Sequence, residues 1–363
     1  MNPALKVERA DLSALVCGRA PSSVRGSARS TLLVLAGMCS LLAGPIFAAE
    51  IKPTLLEALP SPILFRGDDH TAYRDPLLIH ENGTFYLFYS YVREEEDHLI
   101  YWYTAVSKSP DLQHWTAPRI LTPKDQNLNY ASPGNVVKVG GEWLLCLQTY
   151  PIVDFRRGDK LRYADDRARL FLMRSKDLEA WGAPELIRVK GPGVAERDIG
   201  KMIDPFLLRD KDVPGKWWCF YKQNGNVHCA WSPDLQSWTT GTTELAHGEN
   251  PCVIVQGGEY VLFYSPKNGI GVKRSADLVH WREDMPPLTF GQDGWPWAET
   301  RLTAGYVEDL RDVPGVGRYV MVFHASGPGK VRTELQENAN AHLGIAWSED
   351  LKTWDWPGKN PRG

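Results

Sequence analysis

Three acidic residues stand next to a proline or one residue removed from it: Asp75-Pro76, Asp204-Pro205 and Glu249-Asn250-Pro251. Any one of them alone is a turn former, because proline keeps the preceding residue out of the helical basin and a short carboxylate caps local N–H groups. Brought together, the three would do more. Crowded like charges raise at least one carboxyl pKa, and a carboxyl still protonated at neutral pH beside an ionised one is what general acid and base catalysis needs. Residues so far apart in the chain meet only if a repeated element carries each of them to the same edge.

The chain has such a repeat. Ser-x-Asp-Leu-x-x-Trp occurs five times, at Ser109-Asp111-Leu112-Trp115, Ser175-Asp177-Leu178-Trp181, Ser232-Asp234-Leu235-Trp238, Ser275-Asp277-Leu278-Trp281 and Ser348-Asp350-Leu351-Trp354. An alternating apolar stretch rich in aromatic and β-branched residues precedes each copy, as from Phe85 to Tyr89 and from Tyr260 to Tyr264, which is strand patterning. Upstream of each copy a turn pair closes a hairpin between first and second strands: Asn82-Gly83, Gly140-Gly141, Pro214-Gly215, Gly257-Gly258 and Pro314-Gly315. Asp-Leu marks the turn after the third strand, its carboxylate capping backbone N–H groups, and the Trp opens the fourth. The Trp positions lie 66, 57, 43 and 73 residues apart. The expected fold is all-β, a five-bladed β-propeller of four-stranded antiparallel blades spanning 63–363 after a lead-in over 49–62. A many-stranded β-sandwich is the alternative, and the period disfavours it. All five copies carry the Asp and the Trp, so both are structural.

In a propeller the first strand of each blade lines the axis. First-strand heads, second-strand ends and the loops between blades then share one rim. The heads read Arg74-Asp75-Pro76, Ser132-Pro133-Gly134, Ile203-Asp204-Pro205, Glu249-Asn250-Pro251 and Gly305-Tyr306-Val307-Glu308. Blades I, III and IV therefore send a carboxylate into one funnel from equivalent repeat positions. The register of Glu308 against the other heads is left open. Second-strand ends add Ser90, Gln148, Lys222, Lys267 and His324, of which Lys222 and Gln148 suit hydroxyl or carboxylate groups.

This architecture and these heads resemble the five-bladed glycoside hydrolases of family 43 and their clan relatives, the arabinanase, xylosidase and arabinofuranosidase group. The resemblance spans nearly all of the chain after residue 48. It implies that Asp75 is the general base, Asp204 tunes pKa and orientation, and Glu249 is the general acid. An inverting glycosidase needs base and acid roughly 6.5–9.5 Å apart, on opposite sides of the scissile bond. Blade IV has Glu-Asn-Pro where the family more often shows Glu-Gly-Pro, and blade II has Ser132-Pro133 where Ala-Pro is common, so the sugar is left open. The Trp-Met-Asn-Asp-Pro-Asn-Gly context of the fructan-cleaving relatives is absent, which disfavours their retaining route.

On the same rim, Arg74, Ser132, Gln148, Lys222 and His324 are expected to meet an oligosaccharide or polysaccharide. The connection between blades IV and V adds Trp295, Trp297, Glu299 and Arg301. Sugars pack their C–H faces on aromatic rings and bond their hydroxyls to charged groups, so the Trp pair reads as a substrate platform. Equally, it reads as a plug in the seam between blades. His324 reads first as a satisfied core histidine, although a metal-bound water on an axial histidine occurs in some relatives. No residue is assigned as a metal ligand. No cofactor is required, and a structural calcium or sodium ion near the axis is compatible with the fold. The loops Arg93 to His98, Asp154 to Arg169 and Gly327 to Ala341 would wall in a pocket suited to exo cleavage or short oligosaccharides, unless they are merely solvated. Two other functions fit the same rim: a carbohydrate-binding propeller without catalysis, and a phosphorylase in which Arg74, Lys222 and Arg301 hold phosphate.

Arg25 and Arg29 precede an 18-residue apolar run from Thr31 to Ala48 that contains Pro45 and ends in Ile46-Phe47-Ala48. Residues 1–48 read as a secretory signal, which makes the protein secreted or periplasmic with no stable membrane insertion after cleavage. A membrane anchor is the competing reading, at the lower edge of a bilayer span. Met38 stands where a lipidated Cys39 would need a small residue. Cleavage removes five of 41 basic and two of 44 acidic residues, leaving 36 against 42 and a charge of −6, so nucleic acid is not an expected partner. Four cysteines follow residue 48, without zinc-like spacing. An Asn224-Gly225 turn would set Phe220 opposite Cys229 and point Cys219 to the other face, so four buried thiols are expected and no Cys219–Cys229 disulfide. The oligomeric state is not set by the sequence.

Overall fold

A computed structural model describes residues 54–359, apart from 158, 160–165, 242–243 and 329–340. The expected signal segment over 1–48 and large parts of the loops 154–169 and 327–341 lie outside the described residues. Five antiparallel sheets follow one another in the chain. Blade I is Thr71–Glu81, Thr84–Glu94, Ile100–Ser109 and Arg119–Ile120. Blade II splits its first strand into Tyr130–Ala131 and Val136–Val139, then runs Glu142–Thr149, Leu170–Ser175 and Glu185–Leu186. Blade III is Ile203–Arg209, Trp217–Gln223, Asn226–Ser232 and Thr239–Thr240. Blade IV is Glu249–Gln256, Glu259–Ser265, Ile270–Ser275 and Arg282–Leu288. Blade V is Arg301–Leu310, Arg318–Ser326, Ala341–Ser348 and Trp354–Asp355. Each blade packs on the next and blade V on blade I, so the ring closes into a five-bladed propeller.

The repeat motif explains why each blade turns where it does. Its Leu adopts φ of +63° to +66° in all five copies, a left-handed turn that the flanking Ser and Asp stabilise. In blade III the Ser232 Oγ receives the Asp234 N–H, while Asp234 Oδ1 accepts from the N–H groups of Gln236 and Ser237. Those two N–H groups hold the Asp234 carboxyl down at about 2, so the cap is ionised at any ordinary pH. Trp115, Trp181, Trp238 and Trp281 each donate their indole N–H to the carbonyl of the motif's Leu at 2.9–3.3 Å. The motif's own turn is thereby closed.

Local turns set the registers. Asn224 and Gly225, at φ +51° and +83°, make the two-residue hairpin that positive φ at both central positions permits. Phe220 faces Cys229 and Cys219 faces Ala230, and Cys146, Cys219, Cys229 and Cys252 are free, buried thiols. Two features cross between blades. The Asn135 side chain donates to the Leu207 carbonyl and accepts the Leu207 N–H, at 2.7 and 2.9 Å. Beside it, a Cβ on Gly134 would sit 1.4 Å from the Pro205 carbonyl oxygen, so only glycine allows blades II and III to approach this closely.

The last sheet borrows from the start of the chain. Ile63–Phe65 pairs antiparallel with Ala341–Ser348, next to the Trp354–Asp355 pairing on the same strand. Phe65 then reaches blade I, its ring 5.2 Å from Tyr73, 5.4 Å from Tyr89 and 5.8 Å from Trp115.

Candidate active site

The strand heads build the site. Pairing is interrupted between Arg74 and Leu77, Ile203 and Phe206, Glu249 and Cys252, and Thr303 and Tyr306. At each break one residue takes positive φ: Asp75 +46°, Asp204 +58°, Asn250 +50° and Ala304 +51°, with Ser132 at +44° in blade II. This repeat position corrects two expectations. Glu249 is not equivalent to Asp75 and Asp204 but one residue earlier, where Arg74 and Ile203 stand in their blades. The blade V head is Ala304, and Glu308 lies four residues further along the strand, taking a hydrogen bond from Tyr306 at 2.8 Å and not lining the mouth.

A kinked head exposes a backbone N–H that the ladder no longer receives, and burial demands an acceptor for it. Four of the five are met by the side chain ending the second strand of the preceding blade. His324 Nδ1 takes the Asp75 N–H at 3.0 Å, Ser90 Oγ that of Ser132 at 2.7 Å, Gln148 Oε1 that of Asp204 and Ser265 Oγ that of Ala304 at 2.7 Å. The fifth such position is Lys222, opposite Ile203 in the ladder. Lysine has donors and no acceptor. The Asn250 N–H turns instead to Asp204 Oδ2 at 3.2 Å, and Lys222 is free to bond the Glu249 carboxylate. The five-fold pattern is broken where the acidic groups converge.

These residues surround a cavity of about 1100 Å³ at the mouth, lined by Asp75, Asp204 and Glu249 together with Arg74, Ser132, Gln148, Lys222 and Arg301. Asp75 Oδ2 accepts from Ser90 and Ser132, each at 2.9 Å. Glu249 is gripped by Lys222 on Oε2 and Arg301 on Oε1. Despite its burial, Arg301 and Lys222 together hold Glu249 well below the usual carboxylate range. Asp204 is pushed the other way, up to about 7, by burial first and then by the charges of Glu249 and Asp75. Of the two, Asp204 therefore keeps its proton to higher pH than Glu249.

Four of the expected contacts are placed differently. Trp297 is buried and Trp295 stacks on it at 5.0 Å, with Phe323 6.3 Å from Trp295 and 6.1 Å from Trp297. The pair fills the seam between blades IV and V and is no sugar platform. Glu299 is exposed and lies outside the cavity lining. His324 is a core residue whose Nδ1 already serves Asp75, and burial with the nearby Arg74 and Arg301 charges keeps its ring neutral. Two guanidinium groups beside it do not fit a cation-binding histidine. Aromatic lining comes from the opposite side, from Trp102 at the start of a long third strand in blade I and Tyr150 just past the second strand of blade II, rings 6.1 Å apart. A third strand longer than those of the other blades and opening Ile100-Tyr101-Trp102-Tyr103 was the signal for Trp102. Ser90 reaches the site from the second-strand end it occupies, whereas Lys267 lines the cavity from two residues past the blade IV strand, whose end is Ser265.

No protein-family model matches the sequence, and no curated protein matches it. Solved structures do. An α-L-arabinofuranosidase from Podospora anserina in complex with cellotriose superposes with a TM-score of 0.56 at 15% identity, over 81% of this chain and 97% of that one. The catalytic domain of a family 62 α-L-arabinofuranosidase from Coprinopsis cinerea gives 0.57 at 13%, over 81% and 98%. A thermostable family 43 glycoside hydrolase gives 0.52 at 15%, over 82% and 97%. Identities this low speak for architecture, and by that measure the chain is a five-bladed β-propeller of the form these glycoside hydrolases share.

Proposed function

We propose that the protein is a secreted glycoside hydrolase that inverts configuration and acts from a pocket, on chain ends or short oligosaccharides. The observation that carries this reading is the convergence of Asp75, Asp204 and Glu249, from three blades, on one cavity of sugar-sized volume. In it, Asp75 takes the proton of the attacking water. The two serine hydroxyls and the His324 latch fix the direction of its free oxygen. Glu249 protonates the leaving oxygen. Its proton comes from the coupled pair it forms with Asp204: sugar hydroxyls that draw Lys222 and Arg301 away remove the charges keeping Glu249 ionised, and the shared proton is redistributed toward it. Likeness in fold to arabinofuranosidases supports the substrate class without selecting the sugar.

A screen of aryl arabinofuranosides, xylosides and galactosides, followed by oligosaccharides, tests the reading. Hydrolysis of one class that disappears in both Asp75→Asn and Glu249→Gln is expected. Turnover surviving in either variant with a poor leaving group removes the assignment.

A further inference from the structure

We infer that the sugar bound in this cavity carries a carboxylate, as in a uronic acid, held between Arg74 and Arg301; the inference rests on the glycosidase reading of the same cavity and names its substrate class. Among the described residues, Arg74, Lys201, Lys222, Lys267 and Arg301 line the space against four carboxylates. Protonation of Asp204 widens the excess.

The carboxylates leave Arg74 unpaired and engage Arg301 through one nitrogen only. Asp75 is occupied by the hydroxyls of Ser90 and Ser132, and Glu249 is shared by Lys222 and one terminal nitrogen of Arg301. Among the described residues Arg74 has no hydrogen-bond or ion-pair partner, and the Nε atoms of both arginines are buried without an acceptor. The two side chains come from the first strands of neighbouring blades, I and V, and the charges of both lower the pKa of the His324 ring. That ring is neutral and cannot serve as their counter-ion. Arg74 has no anion of its own and Arg301 shares one with Lys222, and planar N–H forks fit a carboxylate better than any sugar hydroxyl.

Position favours an anion borne by the sugar. Because Arg301 already touches Glu249, a carboxylate on Arg301 lies within one sugar residue of the leaving oxygen. Engaging it weakens the hold of Arg301 on Glu249, so an acidic sugar prepares its own general acid.

Isothermal titration of the Asp75→Asn protein, which prevents turnover, supplies the test. The probes are disaccharides ending in glucuronate or galacturonate, the same disaccharides after carboxyl reduction, and inorganic phosphate. At least one uronide is expected to bind tenfold or more tightly than its reduced partner, with affinity falling as salt rises. Arg74→Gln on the same background should shrink that preference to within twofold, and Arg74→Lys should restore part of it. The comparison of uronide with reduced sugar needs no arginine variant and so stands even if one fails to fold. Equal binding of every pair overturns the inference, as does Arg74-dependent binding of phosphate with indifference to the uronides, which marks an inorganic co-substrate instead. Neutral aryl glycosides cleaved equally well by wild type and Arg74→Gln would end the uronate assignment and leave the glycosidase reading standing. Uronide preference in a wild-type protein that hydrolyses nothing would do the reverse.

Discussion

At the level of single residues, the site is governed by where one proton sits. Asp204 is raised to about 7 by burial and by its acidic neighbours, whereas an unfolded aspartate titrates near ~3.9. Between those values the folded protein binds more protons than the unfolded chain, so this group makes stability fall as pH rises through the window. Melting curves of wild type and Asp204→Asn from pH 4 to 8 should show the variant gaining on wild type toward pH 7; parallel curves would mean the proton is elsewhere. Activity follows the same titration. The alkaline limb of the rate profile is expected near pH 7, where the pair loses its proton. Removing the Lys222 charge, which lowers the Asp204 pKa, should move that limb upward in Lys222→Met whatever the loss in rate. Glu249→Gln is expected to reduce kcat by about 10²–10⁴-fold for substrates with poor leaving groups. The acidic heads were legible because a proline follows each so closely. That Glu249 stands one position early was not, since the kinked head that sets the count is a backbone event that Glu-Asn-Pro does not announce.

Elements decide whether an aromatic residue meets a sugar or a neighbouring blade. Trp295 and Trp297 lie in a loop of the right rim, and their type fits either role. Packing against Phe323 and under Gly344, where a Cβ would come within 2.9 Å of the Trp297 ring, settles them as core. Trp297→Ala is therefore expected to cost about 3–5 kcal/mol of stability and leave KM nearly unchanged in the protein that stays folded. A KM rise without loss of melting temperature would reinstate the platform. Gly134→Ala, pressed against Pro205, should likewise lower the melting temperature by pushing blades II and III apart, and differential scanning calorimetry reads this directly. The repeat motif was fully legible, because Ser, Asp and Leu serve the same turn in all five copies and the Trp indole in four of them. What the repeat could not convey is its single exception. Lys222 looks in sequence like one more strand end, and only the row of acceptors formed by Ser90, Gln148, Ser265 and His324 makes its lack of one meaningful.

For the whole molecule the critical joint is the one that closes the ring. Blade V takes an outer strand from Ile63–Phe65, so the first strand among the described residues is fastened to the last sheet, and Phe65 then packs among the blade I aromatics. Three residues carry no periodicity, which is why sequence patterning could not identify this clasp. Its loss would act at a distance. Without it Ala341–Ser348 presents unpaired N–H and C=O groups along part of its edge, the state that invites pairing with another chain. It would also loosen the seam between blades V and I, next to Arg74 and His324. A chain beginning at residue 67 is expected to unfold at lower denaturant concentration than one beginning at 54, and to self-associate in size-exclusion chromatography. Phe65→Ala, which keeps the strand pairing and removes only the ring, should lower stability without self-association. If both variants unfold and migrate like the parent, closure rests on the inner strands alone, and the clasp is an ornament of the fold with no part in holding the mouth together.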